Sequence, residues 1–567
     1  MRRSFQAIGL SLIVLGAMLT IVPTGSYSSI AGDRPVDVAV AGDSEAFVAI
    51  IDTNNEVTQP GNPVTVAELE NNLNSSMTVE YEASVDTDAL AVRNPDQTRT
   101  VRQGGRAPLE VTCSPPNGGS GTATLTVEVV EAAGQSATIR DASLEVPVEY
   151  DCPGRTAGNR PPEPGQPPGD AVAYVDDDHD YAYDEGERIV PRGEIPRFQN
   201  GSAHLVIAAG GETLDYNRQV QIKAKSVTVG DATLTTNKQL KIEAEGDAIS
   251  FRDSTVDTKN GQIQLKASEI TTSGTTITTN KQIKLTAESK ALTVYDTTID
   301  SKNGQIQLKG YPVDATDATI TTNKQIKVES ESGRLTLADA TVDSKNGQIQ
   351  LKGPSVDATD ATITTNKQIK LTAESRALTL TDATVESENG QIQLKGYPVD
   401  ATDATITTNK QIKVESESGR LTLADATVDS KNGQIQLKGP SVGANGASIT
   451  TNKQIKLTAE SGELALTGAT VESENGQIQL KSNAQLRASS AVIETNKQIK
   501  LTSSGDMTLD GAEISSTNGE ATLTLNQASA TLSVDGAVLQ DRDATVVYSP
   551  GGVSVTGTPA QGSVQAG

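Results

Sequence analysis

The sequence predicts an all-β protein: an N-terminal β-sandwich of jelly-roll type followed by a long right-handed parallel β-helix. Three observations carry this expectation. A 43-residue repeat runs through the C-terminal two-thirds of the 567-residue chain. Within each repeat apolar residues alternate at period two, which marks strands rather than helices. Aromatic residues make up only 3% of the chain and Trp is absent, which suits a thin, layered core of Ile, Leu, Val and Ala better than one large interior.

Taken in chain order, Arg2 and Arg3 precede an apolar run from Ala7 to Val22. This is the charged n-region and apolar h-region of an export signal, so residues 1–31 are expected to be a signal peptide or an N-terminal anchor. The adjacent arginines followed by Phe5 resemble a twin-arginine signal. From Val36 to Tyr150, short alternating runs such as Thr124-Leu125-Thr126-Val127 are separated by Gly, Asn and Pro turns. Residues 32–153 therefore read as the sandwich. The two cysteines of the chain, Cys113 and Cys152, lie in this segment. In an exported protein such a pair is expected to form a disulfide, worth roughly 4 kcal/mol in the chain-entropy picture.

The passage Thr24-Gly25-Ser26-Tyr27-Ser28-Ser29 and the Ala/Val-rich run after it resemble the start of camelysin and TasA-like matrix proteins. The resemblance covers about the first fifty residues. It implies a jelly-roll domain that polymerises by lending its first strand to a neighbour's open sheet edge. The alternative is a monomeric sandwich that keeps that strand.

Residues 154–170 are rich in Pro and Gly and predict a stiff, extended linker. Residues 171–200 follow as an acidic loop and cap. Counting Asp176 as position 1, carboxylates fall at Asp176, Asp178, Asp180, Asp184 and Glu187, positions 1, 3, 5, 9 and 12 of an EF-hand-type calcium loop. The position-7 carbonyl belongs to Ala182. Hard oxygens wrapped around one point suit calcium, whereas zinc fits an oxygen-rich loop without Cys poorly. Position 6, usually Gly, is Tyr181, which strains the loop if its φ is positive. The flanking runs read as strands, so this is a calcium loop in a β context. His179, between the ligands, is expected to point outward. The competing reading is a solvated acidic run.

The repeats occupy residues 201–540 and predict about fifteen coils, with residues 541–567 as a C-terminal cap and tail. Asn-Gly-Gln-Ile-Gln-Leu-Lys begins at Asn260, Asn303, Asn346, Asn389, Asn432 and Asn475. Thr-Asn-Lys-Gln-Ile/Leu-Lys interleaves with it and places Asn237, Asn280, Asn323, Asn366, Asn409, Asn452 and Asn496. Each repeat is thus two coils, whose asparagines are expected to stack as a side-chain ladder at a tight, left-handed corner. In one coil Ile369 and Leu371, Leu378 and Leu380, and Ala383 and Val385 supply the inward stripes. One coil offers too few such side chains to fold alone, but stacked coils share a core. The strings Gly-Gln-Ile-Gln-Leu and Thr-Ile-Thr-Thr-Asn resemble the repeats of β-helical adhesins of the filamentous haemagglutinin type.

The net charge of −25 and pI near 4.6 argue against nucleic acid or anionic lipid as partners and favour hydrated cations. Lysine is absent before Lys223, and residues 32–154 hold 20 acidic residues against 6 arginines. That balance resembles a halophile's, where dense carboxylates hold water and screening weakens their repulsion. Like-charge columns along the stacked coils are expected unless neighbouring coils alternate, and calcium could bridge acidic columns.

These features point to an extracellular or cell-surface structural or adhesive protein, not an enzyme. Its coils repeat the same side chains without a long insertion, and histidine occurs only at His179 and His204. Expected partners are the chain itself, other matrix components or polysaccharide, with no membrane insertion beyond the N-terminal segment. The alternative is a polysaccharide-binding or polysaccharide-degrading β-helix.

Overall fold

The structure is a computed structural model. It describes residues 48–152, apart from 54, 56, 58–63, 73–75, 88–89, 94–95, 104, 114–118 and 135–137, and residues 163–566, apart from 543–544 and 550–552. The export segment 1–31, the passage from Thr24 to Ser29 and most of the Pro-rich stretch lie outside the described residues. The chain divides into two compact units, residues 1–158 and 159–567.

The first unit contains eight strands: β1 (Val48–Asp52), β2 (Val64–Asn71), β3 (Met77–Val85), β4 (Leu90–Val92), β5 (Asp96–Val101), β6 (Arg106–Cys113), β7 (Gly119–Gly134) and β8 (Thr138–Cys152). They form two antiparallel sheets, ordered β1-β2-β6-β4 and β5-β3-β7-β8. Alternation decides which side chains meet. In β3, Met77, Val79, Tyr81 and Ala83 are buried while Thr78, Glu80, Glu82 and Ser84 face solvent. Leu69 and Leu109 of one sheet join Leu125 and Leu144 of the other in a single core, so the unit is the expected sandwich. Cys113 ends β6 on one sheet with its side chain buried. Cys152 ends β8 on the other, and its side chain lies outside the described residues.

The second unit is a parallel β-solenoid. Each turn carries three short strands, as in Thr362–Thr365, Ile369–Ala373 and Leu378–Thr379, before the next turn begins at Thr384–Ser387. One face is a sheet of sixteen parallel strands, one per turn. Residues pair with their counterparts one turn on, as in Ile363 with Val385 and Val385 with Ile406. The inward residues read from the sequence, Ile369, Leu371, Leu378, Leu380, Ala383 and Val385, are all buried and belong to one continuous core running from Val172 to Val553.

The ends depart from expectation. Strands Thr545–Ser549, Ser554–Thr556 and Ser563–Ala566 continue the stacking, so the region beyond residue 540 extends the solenoid rather than forming a separate tail. Residues 163–170, expected as part of an extended spacer, dock on the first turns. Pro164 is buried, the Gly165 N–H donates to the Tyr181 carbonyl at 2.7 Å, and Glu163 pairs with Arg252 at 3.0 Å. Gly230 makes room for the proline, since a Cβ there would lie 2.3 Å from Pro164 Cγ.

Candidate functional site

The acidic loop sits between strand β9 (Ala173–Asp176) and strand β10 (Arg188–Ile189), which pair antiparallel. Its backbone is held by its own carboxylates. Asp176, fully buried, accepts the N–H of His179 at 2.6 Å and of Tyr181 at 2.9 Å. Asp180 accepts the Ala182 N–H at 2.7 Å. Glu187 accepts the Asp177 N–H through Oε1 at 2.9 Å and the Asp184 N–H through Oε2 at 3.0 Å. The buried Tyr174 donates its hydroxyl to the Tyr181 carbonyl at 2.9 Å, and its ring meets that of Tyr183 edge-on.

Within this frame the carboxylates converge in two overlapping groups, Asp176, Asp178 and Glu187, and Asp178, Asp180 and Asp184, each with ligand atoms within 4.8 Å of one another. Desolvation first, and then the neighbouring carboxylates led by Asp180, raise the Asp178 carboxyl above its ordinary range. Tyr181 has φ +67°, the left-handed conformation that position 6 of such a loop requires of its usual Gly. The donor set is all oxygen, which fits calcium. His179 does not point outward. It adopts φ +66° and stacks on His204 with ring centroids 3.8 Å apart.

The solenoid corners differ from the predicted asparagine ladder. Asn389 donates to Asn366, Asn452 to Asn432 and Asn496 to Asn475, each at 3.1 Å. Asn280 and Asn323 donate instead to the carbonyls of Lys259 and Lys302. No left-handed φ occurs at Asn237, Asn260, Asn303, Asn346 or Asn409, nor at the other asparagines of the series. The cause is a difference in corner length. Thr319–Thr322 pairs with Thr341–Ser344, but Asn323 directly follows its strand whereas Asn346 stands two residues past the end of its own. Successive asparagines therefore fall out of register and do not form one column: three neighbouring pairs bond each other, and Asn280 and Asn323 bond backbone carbonyls. In the longer corner the backbone passes so close to the turn below that a Cβ on Gly347 would lie 2.1 Å from the Lys324 carbonyl carbon.

The continuous ladder is built from hydroxyls. From Thr236 to Ser516 the last residue of each strand on the sixteen-stranded face is a buried Thr or Ser. Ser344 donates to the Lys324 carbonyl of the turn below and accepts the Gly347 N–H at 3.0 Å. The Thr365 hydroxyl lies 2.6 Å from the carbonyls of both Ser344 and Gly347, and accepts the Lys367 N–H at 3.1 Å. These hydroxyls satisfy corner backbone groups that no strand can pair. The left-handed corner is a different one, occupied by Asp317, Asp339, Asp360, Asp382, Asp403 and Asp425, with φ of 54° to 55°. Gly446 and Gly468 take the same place further on. Asp tolerates this backbone better than most residues. Desolvation, followed by Asp339 and Asp382, raises the Asp360 carboxyl above its ordinary range.

Outside that acidic column the two-coil period alternates charge. On the sixteen-stranded face Asp300, Thr321, Asp343, Thr364 and Glu386 stack in register. The threonines donate to the acids below: Thr321 to Asp300 and Thr364 to Asp343, both at 2.9 Å. On the next face Gln307, Lys327, Gln350 and Lys370 alternate. Beside them Lys352 follows Glu329, and it pairs with Glu329 at 3.8 Å and Glu374 at 3.0 Å. A surface depression of about 440 Å³ opens over this alternation, lined by Asp343, Thr364, Asn366 and Glu386 among others.

No family model and no curated protein matches the chain. A solved structure, the PapD-like domain 7 of human CEP192, is similar at 12% identity over 22% of this chain and 97% of that one, with a TM-score of 0.16.

Proposed function

We propose that this protein is an exported structural or adhesive surface component, in which the solenoid is a passive shaft and the sandwich serves interaction. The observation that carries this reading is the uniformity of the coils. Among the described residues of the repeated coils, turn after turn offers the same corner hydroxyls and the same alternating surface, with no elaborated loop between coils on which a unique constellation of acid, base and nucleophile would be mounted. Its place is outside the cell or on its surface, and its partners are further copies of itself, other matrix components or polysaccharide. Calcium binds the loop through Asp176, Asp178, Asp180, Ala182, Asp184 and Glu187, and bridges aspartate columns of neighbouring shafts. A Cys113–Cys152 disulfide ties the two sheets of the sandwich. Electron microscopy of the exported protein with calcium and after chelation tests this reading. Calcium-dependent bundles or filaments are expected, whereas isolated particles under both conditions would overturn the assembly role.

A further inference from the structure

The chain has two histidines, 25 residues apart in sequence, and the fold brings them together. His204 lies on strand β11 (Gln199–Ala208), where the pairing with β12 (Val220–Gly230) is interrupted between Asn200 and His204. Such irregularities re-aim side chains. His204 is 8% exposed, faces Asp176 of β9 on one side and Ser226 of β12 on the other, and its Nδ1 lies 2.7 Å from the Ser226 hydroxyl. That bond fixes the ring's orientation and leaves Nε2 for another partner. His179, held at φ +66° by the Asp176 carboxylate, brings its ring to this position. Asp247, in the corner ahead of the strand Ala248–Arg252, completes a group whose ligand atoms lie within 4.8 Å of one another.

We propose that His179, His204 and Asp247 form a second metal site, specific for a borderline transition-metal dication such as Zn²⁺. Two imidazoles and one carboxylate are the donors that Zn²⁺ takes, with a water in the fourth position, whereas calcium takes oxygen ligands. A hydrogen bond from the ring nitrogen that does not bind metal is the usual device for orienting a ligating imidazole, and Ser226 provides it. The two sites share a segment but no ligand. The bound ion joins the acidic loop to the first turns of the solenoid, fastening the end where stacking begins. This proposal stands independently of calcium binding.

The test uses the full chain without an affinity tag, stripped of metal, held in excess calcium and titrated with Co²⁺ as a visible probe and Zn²⁺ as competitor. One cobalt per chain, displaced by zinc, is expected. His179→Gly, which suits the left-handed backbone, should weaken cobalt binding at least tenfold with an unchanged circular dichroism spectrum, and Asp247→Asn should do the same. Asp184→Asn, which alters only the oxygen loop, should leave cobalt affinity as it was. Absence of bound cobalt in the folded protein would overturn the proposal, as would undiminished affinity in His179→Gly or a loss confined to Asp184→Asn.

Discussion

Replacing Thr364 by Glu inserts a carboxylate between Asp343 and Glu386, so that three acids stand in consecutive register where the fold now has acid, threonine, acid. Strands in a stack are roughly 4.8 Å apart. At that distance two unit charges in a water-like dielectric repel by about 0.9 kcal/mol, so two neighbours cost about 1.8 kcal/mol. The Thr364–Asp343 hydrogen bond, 2.9 Å, is lost as well, which costs about 1 kcal/mol. The repulsive part is screened in 1 M salt, where the Debye length is about 3 Å, while the hydrogen-bond part persists. Denaturant unfolding of the wild type, Thr364→Glu and the neutral control Thr364→Gln, at low salt and at 1 M salt, separates the two. The Glu variant should fall well below the Gln variant at low salt and approach it at high salt. Equal stabilities at low salt would refute alternation as the reason for the paired coil.

Two further substitutions probe the same architecture. Ser344→Ala removes a buried hydroxyl that serves both the Lys324 carbonyl and the Gly347 N–H, and should cost about 1–3 kcal/mol in unfolding experiments, with faster amide exchange at Gly347. Glu494 stacks on Glu472, one place where alternation lapses, and desolvation, followed by Glu513 and Glu472, raises its carboxyl above the ordinary range. Because the folded value lies above the unfolded one, ionised Glu494 opposes folding at neutral pH, and the penalty fades as pH falls through the raised value. Glu494→Thr should therefore stabilise the protein at pH 7, with an advantage that shrinks in acid.

The inward stripes were legible because each coil must bury the same side chains, and period-two alternation records that directly at Ile369, Leu371, Leu378 and Leu380. The corner chemistry was less so. Thr322 and Ser344 read as ordinary strand formers, and only their place at strand ends beside Asn323 and Lys345 could have singled them out as the ladder. The aspartates at the left-handed corner were hidden because Asp is common in any acidic exposed turn. Carboxylate spacing announced the oxygen loop, since its ligands are close in sequence. The His179–His204 contact depends on a β11 irregularity and on three strands meeting, and no local pattern records either. The Pro-rich stretch read as a spacer because proline favours extended chain, yet Pro164 is buried against Gly230.

A pair of coils, not a single coil, is the unit of the solenoid. This is tested most directly by comparing two deletions. Removing residues 319–361 joins Ala318 to Thr362 and lets Thr364 meet Asp300 as Thr321 does now. Removing residues 319–340 joins Ala318 to Thr341, an equally conservative junction, but sets Asp343 on Asp300 and Lys352 on Lys309 and stacks two long corners. Thermal unfolding at low salt should leave the larger deletion close to the wild type and bring the smaller one well below it. A smaller deletion as stable as the larger would make the single coil, not the pair, the unit of the solenoid.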